Sequence, residues 1–209
     1  MLEVLKNTTY RHLFLAQVIA LIGTGLITIA LALQAYDIAK GEAAQVLGIA
    51  LAIKMIAYIG VAPIASAFAE RLPRKKVLVG LDIIRALTAL CLPFVTQIWQ
   101  IYILIFILQS ASAAFTPTFQ AMIPDVLPEE KDYTNALSLS RLAYDLENII
   151  SPMLAGFLLG FISYHNLFLG TVIGFIGSAL FVVSAKLPAA KVPVFKGVYY
   201  RIKQGTKIY

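Results

Sequence analysis

The chain has 209 residues, 60% of them hydrophobic and only 13% charged, with a formal net charge of +6 and a mean hydropathy of +0.83. An ordinary soluble domain is about 45–50% apolar and about 25% charged, and over half of a globule's surface is already apolar, so this composition excludes a water-soluble domain and makes lipid the solvent for most of the chain. The positive charge does not point to nucleic acid, because the cations sit in short breaks between apolar runs, and the single cysteine, Cys91, lies inside one such run, which excludes a disulfide framework.

A bilayer-spanning helix needs about 20 mostly apolar residues. In chain order, six segments qualify: Leu13–Tyr36, Ala43–Ala69, Val77–Thr96, Ile98–Ile123, Leu137–Phe161 and Leu167–Ala185. The first run has 24 residues, too long for the core of a cleavable signal peptide, and no small-residue cleavage site follows it. The runs are too long and too uniformly apolar for the alternating strands of a membrane barrel. The expected fold class is therefore all-α: a six-helix transmembrane bundle over residues 1–187, followed by a basic tail over 188–209.

The breaks alternate in charge. Lys6 and Arg11 precede the first span, and Lys40 alone lies in the first loop. Arg71, Arg74, Lys75 and Lys76 crowd the second loop, and the third, around Gln97, has no cation. Lys131 and Arg141 flank the fourth, and the fifth again has no Lys or Arg. The tail carries Lys186, Lys191, Lys196, Arg201, Lys203 and Lys207. Of the 17 cations, 14 thus fall on one side of the membrane, one on the other and two, Lys54 and Arg85, inside spans. Cytoplasmic loops carry the Lys/Arg excess. The expectation is a multi-pass protein of the cell membrane with both termini cytoplasmic, its tail resting on the anionic inner leaflet.

Three stretches carry a family resemblance. Ser66–Lys75, SAFAERLPRK, resembles the loop between helices two and three of the major facilitator superfamily, roughly G-x-L-A-D-R-x-G-R-K. Glu70 stands where that family has Asp, Arg71, Arg74 and Lys75 match, and Ser66 and Pro73 replace two glycines. The following VGLDIIRAL supplies Asp82 and Arg85, a D-x-x-R pair common in the third helix of efflux members. Phe115–Asp145 resembles the end of helix four, the acidic loop and the start of helix five in the same group. Ser151–Gly156, SPMLAG, resembles the G-P-x-x-G-G stretch of antiporter helix five, with Pro152 and Gly156 matching. The resemblance implies one six-helix half of a transporter that usually has two, built as a three-plus-three inverted repeat.

The same residues have plainer readings. The loop cations hold a tight cytoplasmic turn, or, as the resemblance implies, Glu70, Arg71, Arg74, Lys75, Asp82 and Arg85 form a gating network in which Arg74 and Lys75 pair with Asp82 or the acids of Asp125–Asp132. Exposed ion pairs are worth about 0–1 kcal/mol each, a size suited to a switch between two close states. Asp82 and Arg85, three apart, share a helix face and also read as a structural pair.

Lys54 lies about 16 Å from the nearer end of its span at 1.5 Å per residue. That is too deep to reach the interface, so it should face a cavity or an acid. Span five is the most polar: Arg141, Asp145, Asn148 and Pro152 follow one face, and Ser140, Tyr144, Glu147 and Ser151 a neighbouring stripe. Arg141 and Asp145 are placed to pair. Glu147 has no cation one turn away on its own helix, and intramembrane acids mark proton relays and substrate paths, so Glu147, then Asp145, are the proton-coupling candidates; burial against other helices is the alternative.

Pro152 frees the carbonyl of Asn148 and kinks the helix, while Gly156 allows close approach of another backbone. By resemblance helices one and four line the central cavity, making Gln17, Thr24, Gln109 and Thr116, with Lys54 and Asn148, substrate-contact candidates; helix packing is their plainer role. Trp99, Tyr102, Tyr164 and Phe168 read as an interfacial belt.

No zinc-ligand spacing, nucleotide loop or catalytic triad is present, and His12 and His165 fall on opposite sides of the membrane. The expectation is a non-enzymatic transporter without metal or cofactor, moving a small solute, by efflux and with proton coupling, and working with a second six-helix half. A half inactive without that partner, and a membrane scaffold, are the competing readings.

Overall fold

In lipid every backbone amide needs an internal partner, and a helix supplies one for each. The computed structural model describes residues 2–69 and 73–186. Their order is α1 (Thr8–Ala39), α2 (Ala43–Ala69), α3 (Arg74–Cys91), α4 (Ile98–Gln120), the one-turn α5 (Ile123–Val126), α6 (Glu130–Leu159) and α7 (Tyr164–Ser184), with no strand among the described residues. The six long helices are each long and apolar enough to cross a membrane. Glu70, Arg71 and the basic tail 188–209 lie outside the described residues.

The helices overrun their apolar cores where local signals allow. α1 begins at Thr8, five residues before its first apolar run, and α6 begins at Glu130, just after Pro128 and with Glu130 and Asp132 in its first turn. Acids there complement the positive helix end. α3 stops at Cys91, where Pro93 converts the chain to a short 3₁₀ turn, Leu92–Phe94. α4 opens on a reciprocal cap: the Gln97 side chain takes the backbone amide of Gln100, and Gln100 Oε1 accepts from the amides of Thr96 and Gln97 at 3.0 Å each.

α1 is the central helix. It crosses α7 where Gly23 meets Gly174: a Cβ built at Gly174 would lie 3.2 Å from Gly23 Cα and 3.2 Å from Ile19 O. Thr171 Oγ1 donates to Gly23 O at 3.0 Å across the crossing. Small residues at a contact let backbones approach, which drives association where lipid removes the hydrophobic difference. α3 packs on α7 and α4, α4 on α2, and α6 on α1.

Two apolar cores stack along the bundle. One, built on Tyr10, Leu78, Phe119 and Ile123, lies at the end bearing both Leu2 and Lys186; the other, built on Ile27, Leu108, Phe168 and Phe175, lies toward the opposite end. Thr9 Oγ1 donates to Lys186 O at 3.1 Å, so the two ends of the bundle's chain emerge side by side.

The helices are unequally covered. In their most apolar stretches only 6% of α2 and 11% of α6 is buried, against 39–56% in the other four. α2 and α6 therefore present broad open faces.

Candidate functional site

The open surface of α6 carries exposed apolar residues such as Leu146, Ile149 and Met153, and beside them a polar stripe that lipid does not readily tolerate. Arg141, Asp145, Asn148 and Pro152 are all exposed on it. Arg141 Nε and Asp145 Oδ1 pair at 3.3 Å, the one-turn pairing that their spacing suggests. Asn148 Nδ2 turns back to donate to Tyr144 O at 2.9 Å.

The neighbouring stripe of α6 points inward, and each of its members has a counterpart. Ser140 Oγ donates to Gln17 Oε1 at 3.0 Å, deep between α6 and α1. The Tyr144 hydroxyl shares a 2.8 Å hydrogen bond with Thr116 of α4. Ser151 packs against Gly25, so closely that a Cβ there would overlap the serine side chain and lie 3.0 Å from Glu147 Oε1. Glu147 is thus wedged against α1, half-buried, between the Tyr144 and Ser151 contacts.

Lys54, half-buried on α2, lies near enough for its charge to attract the Glu147 carboxylate. Glu147 has no cation one turn away on its own helix, and the fold supplies a positive charge from another. Tyr58, one turn beyond Lys54, also lies within electrostatic reach of Tyr144, Glu147 and Arg85. The site therefore gathers Lys54 and Tyr58 from α2, Thr116 from α4, and Tyr144 and Glu147 from α6, with Gly25 of α1 behind them.

Other candidates go elsewhere. Gln17 is buried and spent on Ser140, so it serves helix packing rather than a cavity wall. The Thr24 hydroxyl returns to Ala20 O at 3.0 Å, the usual way a span satisfies a hydroxyl internally. Gln109 is half-buried on α4. Gly156 has open space where a Cβ would go, so the close backbone approach it permits is not made among the described residues. Phe168 sits in the core rather than in an interfacial belt, while Tyr164 donates to Asp37 at 2.5 Å and ties the far ends of α7 and α1.

The loop network divides in two. Arg74 forms an ion pair with Asp125 and also donates to Ala121 O at 2.7 Å, binding α3 to the α4–α5 corner. Lys75 Nζ donates to Ala185 O at 2.8 Å, the end of α7, instead of to an acid. Asp82 and Arg85 do not join them. They pair with each other, fully buried, while Ser178 of α7 donates to Asp82 Oδ2 at 2.7 Å. The Arg85 guanidinium lies between the rings of Phe115 and Phe175, 4.2 and 4.5 Å from their centroids. This cluster staples α3, α4 and α7 inside the bundle, and its depth separates it from the loop.

Tyr58 and Ser178 escaped the sequence reading. Tyr58 had a signal, its position one turn from an intramembrane lysine; Ser178 looks like an ordinary small packing residue until its partner is placed. No group of three or more His, Cys, Asp or Glu that could hold a metal ion occurs among the described residues.

Residues 13–198 match the sequence pattern of the Major Facilitator Superfamily. Macrolide efflux protein A of Streptococcus pyogenes is 25% identical over 177 residues, which is 82% of this chain and 43% of that protein. Macrolide efflux protein A of Enterococcus faecalis is 26% identical over 150 residues, 69% of this chain and 46% of that protein. The uncharacterised MFS-type transporter YfiS of Bacillus subtilis is 29% identical over 106 residues, 51% of this chain and 25% of that protein. The chain spans less than half the length of each of these relatives.

Proposed function

Because this multi-pass chain belongs to the Major Facilitator Superfamily, we propose that it forms one half of an efflux transporter that moves a small solute by alternating access. The observation that carries this reading is the pair of open faces on α2 and α6, one of them polar over several turns. A polar stripe in a span belongs against a water-filled path or another polar helix, not lipid. A second six-helix unit packed over these faces would enclose the Lys54–Glu147 site at its centre. Gly156, with open space beside it among the described residues, then takes a close helix contact with that unit.

In this reading Glu147 is the proton-coupling acid, with Asp145 second, and Lys54, Thr116 and Asn148 contact the solute. Protonating Glu147 removes the charge that attracts Lys54, so the protonation state of Glu147 sets the charge that a solute meets at this place. The Arg74–Asp125 contact, together with Lys75 and with Glu70 and Arg71, makes the switchable tie at the cytoplasmic end. The chain sits in the cell membrane with both termini cytoplasmic, as the cation distribution favours.

The efflux relatives make a macrolide the first solute to try. Cells expressing the full chain together with its genomic neighbour should retain less radiolabelled erythromycin than cells expressing either alone. Equal retention in all three removes macrolide efflux by this assembly. Under the same assay Glu147→Gln should lose the dependence of efflux on the proton gradient.

A further inference from the structure

One buried hydroxyl beside Glu147 has no partner, and it bears on how that acid is held, an inference that rests on the reading of Glu147 as the proton-coupling residue. Ser151 is 1% exposed, and its Oγ makes no hydrogen bond among the described residues. Buried hydroxyls are rarely left so. Other hydroxyls in these helices return to the carbonyl one turn back: Thr24 to Ala20, Thr28 to Thr24, Thr88 to Ile84, Thr118 to Ala114 and Ser138 to Thr134. Ser151 has the Glu147 carbonyl at the same spacing and does not use it. Its proton is therefore open to another acceptor.

The Glu147 carboxyl group lies beside it. A Cβ built on Gly25 would stand 2.1 Å from Ser151 Oγ and 3.0 Å from Glu147 Oε1. The two oxygens thus border one point on α1, and their separation cannot exceed the sum of those distances. Glycine at position 25 leaves that point empty, so both side chains can turn into it. Rotation about one bond swings the serine hydroxyl, and the longer glutamate side chain brings its carboxyl group to meet it. Residues 147 and 151, four apart, share a helix face.

The charged groups on the surrounding helices leave this role open. α1 carries no ionisable residue between His12 and Tyr36. On α6, Arg141 is taken by Asp145 and the Tyr144 hydroxyl by Thr116. α7 has only Tyr164 and His165, both at its start, and Lys54 of α2 acts through its charge. A hydroxyl offers one donor and two acceptor positions. It can therefore donate to an ionised carboxylate and, after rotation, accept from a protonated carboxyl group.

We propose that Ser151 is the positioning residue of Glu147: its hydroxyl donates to the carboxylate when Glu147 is ionised, accepts from the carboxyl group when it is protonated, and holds it against Gly25 in both states.

Infrared difference spectra of the full chain in lipid nanodiscs, taken between alkaline and acidic buffer, test this. The carboxyl C=O band of protonated Glu147 is the one that Glu147→Gln removes. Ser151→Ala should shift that band to higher wavenumber, because a carboxyl group that loses its hydrogen bond absorbs higher. Ser140→Ala, which removes a different hydrogen bond between α6 and α1, should leave the band where it is. The unsubstituted protein's band should itself lie below that of monomeric propanoic acid in a non-hydrogen-bonding solvent, a comparison that stands even where the alanine variant unfolds. A band at the free position in the unsubstituted protein, a band unmoved by Ser151→Ala, or one moved as far by Ser140→Ala would overturn the proposal. The outcomes separate the two readings. A spectrum with no band that Glu147→Gln removes sinks the proton-coupling reading and this proposal with it, whereas a band present but unmoved sinks this proposal alone.

Discussion

Replacing Gly25 with alanine adds one methyl group at the tightest interhelical contact among the described glycines. Its position is fixed by the backbone: the new carbon would overlap Cβ and Oγ of Ser151 and come within 3.0 Å of Glu147 Oε1. Forcing a methylene into a packed site costs about 1–3 kcal/mol. The same change gains about 1 kcal/mol in helix propensity, so the single variant should lose between almost nothing and about 2 kcal/mol.

That range makes the single variant a weak test, and the cycle with Ser151→Gly is the stronger one. Ser151→Gly removes both atoms that the new methyl overlaps, so the clash disappears in the double variant while each propensity effect remains. The coupling between the two substitutions should be favourable by about 1–3 kcal/mol, well outside the scatter of about 0.3–0.5 kcal/mol seen for independent sites. Unfolding of the four proteins in mixed micelles, titrated with denaturing detergent and followed by helical circular dichroism, measures it. Additive effects would refute the placement of α6 on α1 at this level, and with it the wall behind Glu147.

Three further outcomes follow from the structure. Arg85→Leu should cost about 3–5 kcal/mol, because it strands the buried Asp82 carboxylate, whereas Asp82→Leu/Arg85→Leu should recover most of that loss in the same micelle titration. In a Cys91→Ser background, a cysteine at the exposed Gly41 should react with an impermeant maleimide on intact cells, and one at the exposed Glu3 only after lysis; the opposite pattern would invert the topology. Arg74→Glu should weaken the α3 contact with the α4–α5 corner by about 1 kcal/mol or less, since that pair is partly exposed, and Arg74→Glu/Asp125→Arg should restore it; an unrestored double variant would show that the Ala121 carbonyl, not the charge pair, holds the corner.

Much of this was legible in the letters, and the reasons are physical. Six apolar runs must become six helices because lipid leaves them no other way to satisfy the backbone. The two stripes of α6 follow from helical spacing, and so does the Arg141–Asp145 pair. That Lys54 should face a cavity or an acid followed from its depth, while which group it faces depended on how the helices are arranged. The Asp82–Arg85 pair shows the opposite case. Its spacing announced a pair, but the loop motif beside it suggested a gate. What settles its place is Ser178 and the two phenylalanine rings, all contributed by α4 and α7. Gln17 is a related case: a polar residue in a central span reads as a cavity wall, and the fold sets Ser140 opposite it. Interhelical partners at long sequence separation carry no local periodicity, so a single sequence names the group in need of a partner and not the partner.

In the complete assembly the polar stripe of α6 should line a water-filled path. Reaction rates of a single cysteine with a charged, water-soluble methanethiosulfonate test it most directly. The full chain, with its partner half, would carry Cys91→Ser and either Asn148→Cys on that face or Ile83→Cys on the open apolar face of α3. Residue 148 should be modified rapidly, and more slowly with solute bound, while residue 83 should react little. Equal, slow rates at both positions would contradict it, because they would put lipid against the stripe that Arg141, Asp145 and Asn148 share.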